Sequence, residues 1–246
     1  MLPDCQIIQR HTVSFHFYAD DTKIYLPLRP NNQRSLAAVL DCLKDVNRWM
    51  AHNFLQLNNS KSKIILFNLP TTITSPISLG PLSSNIKPTA RNVGVVLDSD
   101  FTFIPHINKV VQSCFLHIRI TKIFFLLSQP NLEKLIHALI FSRLDYRNSR
   151  LTGINHKSLS HLQLVQNSAA RLLHGFNRRR HITPVFTSLQ WLPLCFRIDF
   201  KILLINFKAR HGLAPDYITD MLTPDEPVRS LRSAGGAHCS KVEAQD

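Results

Sequence analysis

Seven glycines in 246 residues leave this chain without a Gly-rich phosphate loop or a Gly-x-Gly of the methyltransferase kind. Cysteine is equally uninformative as a framework. Cys5, Cys42, Cys114, Cys195 and Cys239 are odd in number and scattered, with no Cys-x-x-Cys pair, so they read as reduced thiols, mostly core filler. Twelve histidines include no His-x-x-x-His, His-Glu-x-x-His or Cys/His finger and are expected at the surface or in the core rather than on a metal. No apolar run approaches the roughly 18 residues of a membrane helix, the longest lying around Ile123 to Leu127. The N-terminus lacks a basic segment followed by an apolar secretory core. Neither a membrane protein nor a secreted one is expected, and the chain is placed inside the cell, in the cytoplasm, the nucleus or both.

Acidic residues are also scarce, 16 against 29 Lys and Arg, for a net charge of +13. The excess is uneven. Residues 1–100 carry 10 basic against 7 acidic side chains, residues 101–233 carry 18 against 7, and residues 234–246 carry 1 against 2. A field of that sign draws polyanions through sequence-independent phosphate contacts, although it also fits a merely solubilising surface. Hydrophobic content of 44% is ample for a core, in one large domain or two smaller ones.

What is present begins with Phe17-Tyr18-Ala19-Asp20-Asp21. Val13, Phe15 and Phe17 alternate onto one face of an approach strand, and Thr22 to Leu26 is β-branched and aromatic, so Asp20 and Asp21 fall at a hairpin turn. Two adjacent carboxylates there can hold a hard divalent cation, which takes oxygen ligands from one or two carboxylates plus substrate phosphates. A solvated turn accounts for the same pair. Downstream, Leu36, Val39, Leu40, Leu43, Val46 and Met50 predict a helix with Ser35 as its N-cap. Ile64 to Phe67 predicts a buried strand, and Ile77 to Leu79 and Val93 to Leu97 two short ones, the last with Gly94 inside it. From Pro105 the period turns helical. One stripe runs Ile107, Val110, Val111, Cys114, Phe115 and Ile118, with Lys109, His117, Arg119 and Lys122 on the other faces. Further helices are predicted over Leu132–Ile140, Leu159–Ala169 and Ile198–Phe207, separated by Pro184, Pro193 and Pro215.

The Tyr-Ala-Asp-Asp hairpin, followed by NRWMAHNFLQLNNSKSKIILF, RNVGVVLDSDFTFIPHI, LIFSRLDYRNS, LQLVQNSAARLL and HITPVFTSLQWLPLCFRIDFKILLINFKA, resembles non-LTR (LINE-type) retrotransposon reverse transcriptases over roughly residues 1 to 233. The resemblance implies an α+β fold: part of a polymerase palm over 1–104, a helical thumb and C-terminal region over 105–233, and a divergent tail over 234–246. It implies Asp20 and Asp21 as catalytic metal ligands for Mg²⁺ or Mn²⁺, no organic cofactor, and an RNA template with a DNA primer as partners. Tyr18 would sit against the primer end, or simply pack. Lys61, in the family's Leu-Asn-x-x-Lys pattern, would protonate the leaving pyrophosphate, or simply be exposed. Lys109, Arg119 and Lys122, with the dense cluster Arg178-Arg179-Arg180, would contact nucleic acid, the cluster fitting a solvated loop equally well.

The segment NFLQLNNSKSKIILF is also similar to a short N-terminal piece of AlkB-like DNA-repair proteins, but no His-x-Asp pair accompanies it to support iron(II) oxygenase chemistry. Two departures bear on activity. The family's site takes a further aspartate from an earlier palm strand, and Asp4 stands in no matching motif, so the chain is expected to carry half of an active site. In Leu144-Asp145-Tyr146-Arg147-Asn148-Ser149-Arg150-Leu151, arginines replace a small thiol and an apolar residue of the family's Leu-Asp-Tyr-Cys-Asn-x-x-Leu, and a buried unpaired Arg there would be strongly unfavourable. Polymerase fragment and non-catalytic nucleic-acid-binding protein therefore both stand, with oligomeric state open.

Overall fold

The computed structural model describes residues 3–19, 21–27, 33–58, 60–68, 80–123, 127–175 and 181–222. The fold is α+β, with helices outweighing two small two-stranded sheets. It divides into two compact units, residues 1–90 and 91–246.

In the first unit, helix α1 (Pro3–Ile8) leads into an antiparallel hairpin of β1 (Ser14–Tyr18) and β2 (Asp21–Tyr25), and helix α2 (Gln33–His52) follows. The alternation read from sequence holds: Phe15, Phe17 and Ile24 pack with Val39 and Met50 around buried Ile8, Val13, Cys42 and Val46. Phe15 and Phe17 meet edge to face at 5.2 Å, a geometry aromatic quadrupoles favour. The helix begins at Gln33, so Ser35 lies within its first turn instead of capping it. Residues 64–67 form no strand. Only Ile64 pairs, in an isolated parallel bridge to Ile86, and its neighbours are half-buried or exposed. The expected strand at 77–79 falls outside the described residues.

The second unit begins within β3 (Thr89–Asn92), which forms a hairpin with β4 (Val95–Asp98), and continues with α3 (Ile104–Ile123), α4 (Gln129–Ile136), a π-helical turn at His137–Phe141, α5 (Ser142–Leu144), α6 (His156–His174), α7 (Thr183–Leu189), α8 (Leu194–Arg210) and α9 (Asp216–Thr219). Gly94 is not inside a strand. Val93 and Gly94 form the two-residue turn, with φ of 43° and 84°, the positive values a type I′ hairpin requires. The expected single helix over 132–140 instead passes from α4 into the π turn, which stacks the rings of His137 and Phe141 at 4.8 Å and sets both edge-on to Trp191. The prolines open helices: Pro184 lies in the first turn of α7, and Pro193 and Pro215 directly precede α8 and α9, where a missing N–H costs nothing. One continuous core joins Ile107, Cys114 and Ile118 of α3 to Ile140, Phe141, Leu162, Val165, Trp191 and Ile198. Buried Ala169 and Ala170 present little bulk on the core side of α6.

Candidate active-site hairpin and cationic helix

The hairpin register pairs Phe17 with Thr22 and Tyr18 with Asp21, the last pair of the ladder. Cross-strand partners project from the same side of a sheet. Since Phe15 and Phe17 face the core, Tyr18 and Asp21 share the opposite side with the pair His16 and Lys23. Tyr18 and Asp21 are both exposed, and Ala19 takes a left-handed φ of 52° to close the turn. Asp20 lies outside the described residues. The hairpin thus offers the Asp21 carboxylate to solvent on a two-stranded support, with an aromatic ring directly across the ladder.

Lys61 stands in a separate turn. Asn58 Oδ1 accepts from Ser60 Oγ at 2.6 Å and from the Lys61 N–H at 3.2 Å, and the Asn58 carbonyl accepts from the Lys61 and Ser62 N–H groups at 3.1 Å. The Leu-Asn-x-x-Lys pattern is therefore a self-bonded turn in which the asparagine orders the backbone and the lysine is exposed. Among the described residues no three His, Cys, Asp or Glu side chains gather as a metal-holding group.

Lys109, Arg119 and Lys122 are all exposed on α3. Arg119 and Lys122, three residues apart, share a face, and Lys109 stands about 15 Å before Arg119 along the axis. Arg178, Arg179 and Arg180 lie outside the described residues. Between α3 and the segment after α4, the Arg143 guanidinium donates to His117 Nε2 at 2.9 Å. The Cys114 thiol beneath is pushed up to about 11 by burial, against a smaller opposing effect of Arg143, so it stays a packing thiol.

The segment from Leu144 to Leu151 does pack, and its arginines escape the penalty expected of them. Leu144 is buried. Asp145 receives a bidentate pair from Arg197 of α8, Nε at 2.9 Å and Nη2 closer still, while that guanidinium lies 4.9 Å over the Phe141 ring. Tyr146 OH donates to the Val93 carbonyl at 2.9 Å, and its ring fits so closely over Gly94 that an added Cβ would stand 2.9 Å from Tyr146 Cε1. Arg147 turns back at φ 53° with its guanidinium 5.5 Å over the Tyr146 ring, and Arg150 is exposed. Three of the segments that carry the resemblance therefore meet: 91–98, 144–151 and 193–207.

Asp98, at the end of β4, accepts from the Thr102 N–H at 2.8 Å, Thr102 Oγ1 at 2.7 Å and the Phe103 N–H at 2.8 Å. Burial alone would raise its pKa; these donors outweigh that and hold it below the usual carboxylate value. The box fixes two residues in the left-handed region, Phe101 and Phe103, at the entry to α3. Sequence reading had no periodic signal for it, although an aspartate four residues before a threonine at a helix entry was a usable cue. No protein-family model, curated protein or solved structure matches the chain.

Proposed function

We propose that this chain is the part of a LINE-type reverse transcriptase that carries the Tyr-Ala-Asp-Asp hairpin and the thumb-like helices after it, and that on its own it binds nucleic acid without extending primers. The observation that supports this reading best is the hairpin. Its register sets the Asp21 carboxylate across from Tyr18 at the end of the ladder and the apolar face on a helix, an arrangement that would let a palm present metal ligands to solvent. In this reading Asp20 and Asp21 would hold Mg²⁺ or Mn²⁺, which supplies Lewis-acid activation of a nucleotide phosphate. The protein's share is to hold those oxygens apart from any neutralising partner and to keep Tyr18 against the primer end.

Binding belongs to the cationic second unit. Its exposed cations on α3, with the arginine cluster at 178–180, would neutralise backbone phosphates of an RNA–DNA hybrid. A non-catalytic nucleic-acid-binding protein would share this surface and differ only in having no use for Asp20 and Asp21.

The test is fluorescence anisotropy with a labelled RNA–DNA hybrid at several salt concentrations, paired with primer extension on an RNA template. Affinity should fall linearly on a log–log plot. Each neutralised phosphate contributes about 0.7 to 0.9 to the slope, so replacing Arg178, Arg179 and Arg180 with Ala should flatten it by about two to three units if all three touch phosphate. Asp20→Ala should leave binding equal or slightly tighter. No extension above background is expected with Mg²⁺ or Mn²⁺. Salt-independent affinity would overturn the binding surface, and extension that disappears in Asp20→Asn would overturn the half-site.

A further inference from the structure

A helix that is apolar all round normally belongs to an interior, and α8 is apolar on two opposite faces. Leu194, Ile198 and Ala209 are buried on the core side. On the far side Phe196, Phe200, Leu203 and Phe207 are each 54–57% exposed. At 3.6 residues per turn these four fall within a stripe about 60° wide along nearly the whole helix. An aromatic ring buries roughly 150–250 Å² when fully covered, so the four leave on the order of 400 Å² of continuous apolar surface. That is as large as the largest apolar patch on a typical monomer, roughly 300–600 Å², which is often functional. Leu192 just before the helix and Leu213, Tyr217 and Met221 just after it are exposed as well. The stripe alone supplies about half of the ~800 Å² per partner of a stable interface.

We infer that this face of α8 pairs with the same face of a second copy of the chain, antiparallel across a two-fold axis. The stripe's spacing of 4, 3 and 4 residues reads the same in both directions. A two-fold between Lys201 and Ile202 sets Phe196 on Phe207 of the second copy and Phe200 on Leu203, each contact occurring twice, as an isologous interface requires. The spacing is also the alternation that seats side chains between facing helices.

Charge placement agrees with a copy as the occupant. Lys201 and Lys208 lie about 110–130° round the helix from the stripe, away from the seam. Arg197, at its margin, is already committed to Asp145. Across this axis Asp199 would face neutral Asn206 of the second copy, Arg197 would face Leu204, and Arg210, about 50° from the centre of the stripe at its end, would face Pro193, so no like charges meet along the stripe. The remaining opposition is the overall charge of +13 on each chain, which salt screens. Dimerisation should therefore strengthen with salt, opposite to nucleic-acid binding.

Sedimentation equilibrium on the full chain, at low and at 0.5 M salt as the order-of-magnitude extremes, tests this. A monomer–dimer equilibrium is expected that tightens at least several-fold at high salt, and Phe200→Glu with Phe207→Glu should weaken it by more than tenfold while leaving the helical circular dichroism unchanged, since both side chains are exposed. Orientation is read by oxidising a mixture of Phe200→Cys and Leu203→Cys chains. Heterodimers should exceed the homodimers of either alone and the background from native thiols. A monomer at all salt concentrations, a dimer indifferent to the two glutamates, or Phe200→Cys homodimers predominating would overturn the antiparallel pairing. So would loss of single-stranded RNA binding in the glutamate variant of a chain that is monomeric throughout, which would assign the stripe to base stacking.

Discussion

Each unit carries a two-residue hairpin whose tip uses left-handed backbone, and the two tips are treated in opposite ways. At Ala19-Asp20 nothing described covers the turn, and Tyr18 and Asp21 stand open to solvent. At Val93-Gly94 the turn is clamped: Tyr146 bonds the Val93 carbonyl and lies over Gly94, and Asp145 beside it is gripped by Arg197. Valine is a poor residue for positive φ, and the clamp offsets that strain. Family-like residues are thus of two kinds. Those at the second tip hold the fold together, and at the first Tyr18 and Asp21 face solvent, as the proposed metal-binding role requires.

That contrast can be broken by mutation. The largest effect should come from Asp98→Ala at the base of the second hairpin. It strips the buried Phe103 N–H, the part-buried Thr102 N–H and the Thr102 hydroxyl of a charged acceptor and should cost about 3 kcal/mol in chemical denaturation. Gly94→Ala should cost about 2 kcal/mol, because its φ of 84° strains any L side chain and its Cβ would strike the Tyr146 ring. Tyr146→Phe, which loses only the bond to Val93, should cost about 1 kcal/mol. At the first tip, Asp21→Asn should change stability by less than about 0.5 kcal/mol, as for an exposed side chain. A comparable loss there would show that the first tip is structural too.

Acid should expose the same asymmetry. The folded pKa of Asp98 is lowered, so its contribution is complete above the ordinary carboxylate range and is lost as pH falls through the lowered value. His106 is also lowered, by burial and then by Lys109, and its Nδ1 accepts weakly from the Val96 N–H at 3.4 Å. Its contribution is complete above about pH 6.5 and declines as pH falls below that toward the folded value. Denaturation midpoints from pH 8 downward should therefore fall first through His106, and His106→Gln should remove that early step.

Much of this architecture was legible in sequence because it is periodic. The alternation of Val13, Phe15 and Phe17 and the helical stripes of α2, α3 and α6 are local patterns imposed by burying one face. What escaped was non-local or aperiodic. Gly94 looks like a strand interruption until Asn92 and Val95 are seen to flank a two-residue turn. Ile64 to Phe67 is apolar enough for a strand, yet only Ile64 finds a ladder partner. Arg147 looked like a buried charge because the sequence does not reveal that Tyr146 lies beneath its guanidinium. The outward stripe of α8 was hidden because two apolar faces on one helix cancel as a periodic signal. At the candidate site, position at a hairpin tip was readable, as was an exposed Lys61; the hydrogen bonds by which Asn58 orders the turn before it were not.

The central claim is that the open tip holds a divalent cation. Titrating the isotope-labelled chain with Mn²⁺ and following backbone amide resonances tests it directly, since paramagnetic broadening reports proximity at each residue. Resonances from Tyr18 to Thr22 should broaden first and selectively, Mg²⁺ should compete, and replacing Asp20 and Asp21 with Asn should abolish the effect while the Val93-Gly94 turn stays unaffected throughout. Broadening that spares residues 18–22, or that survives the double replacement, would contradict it.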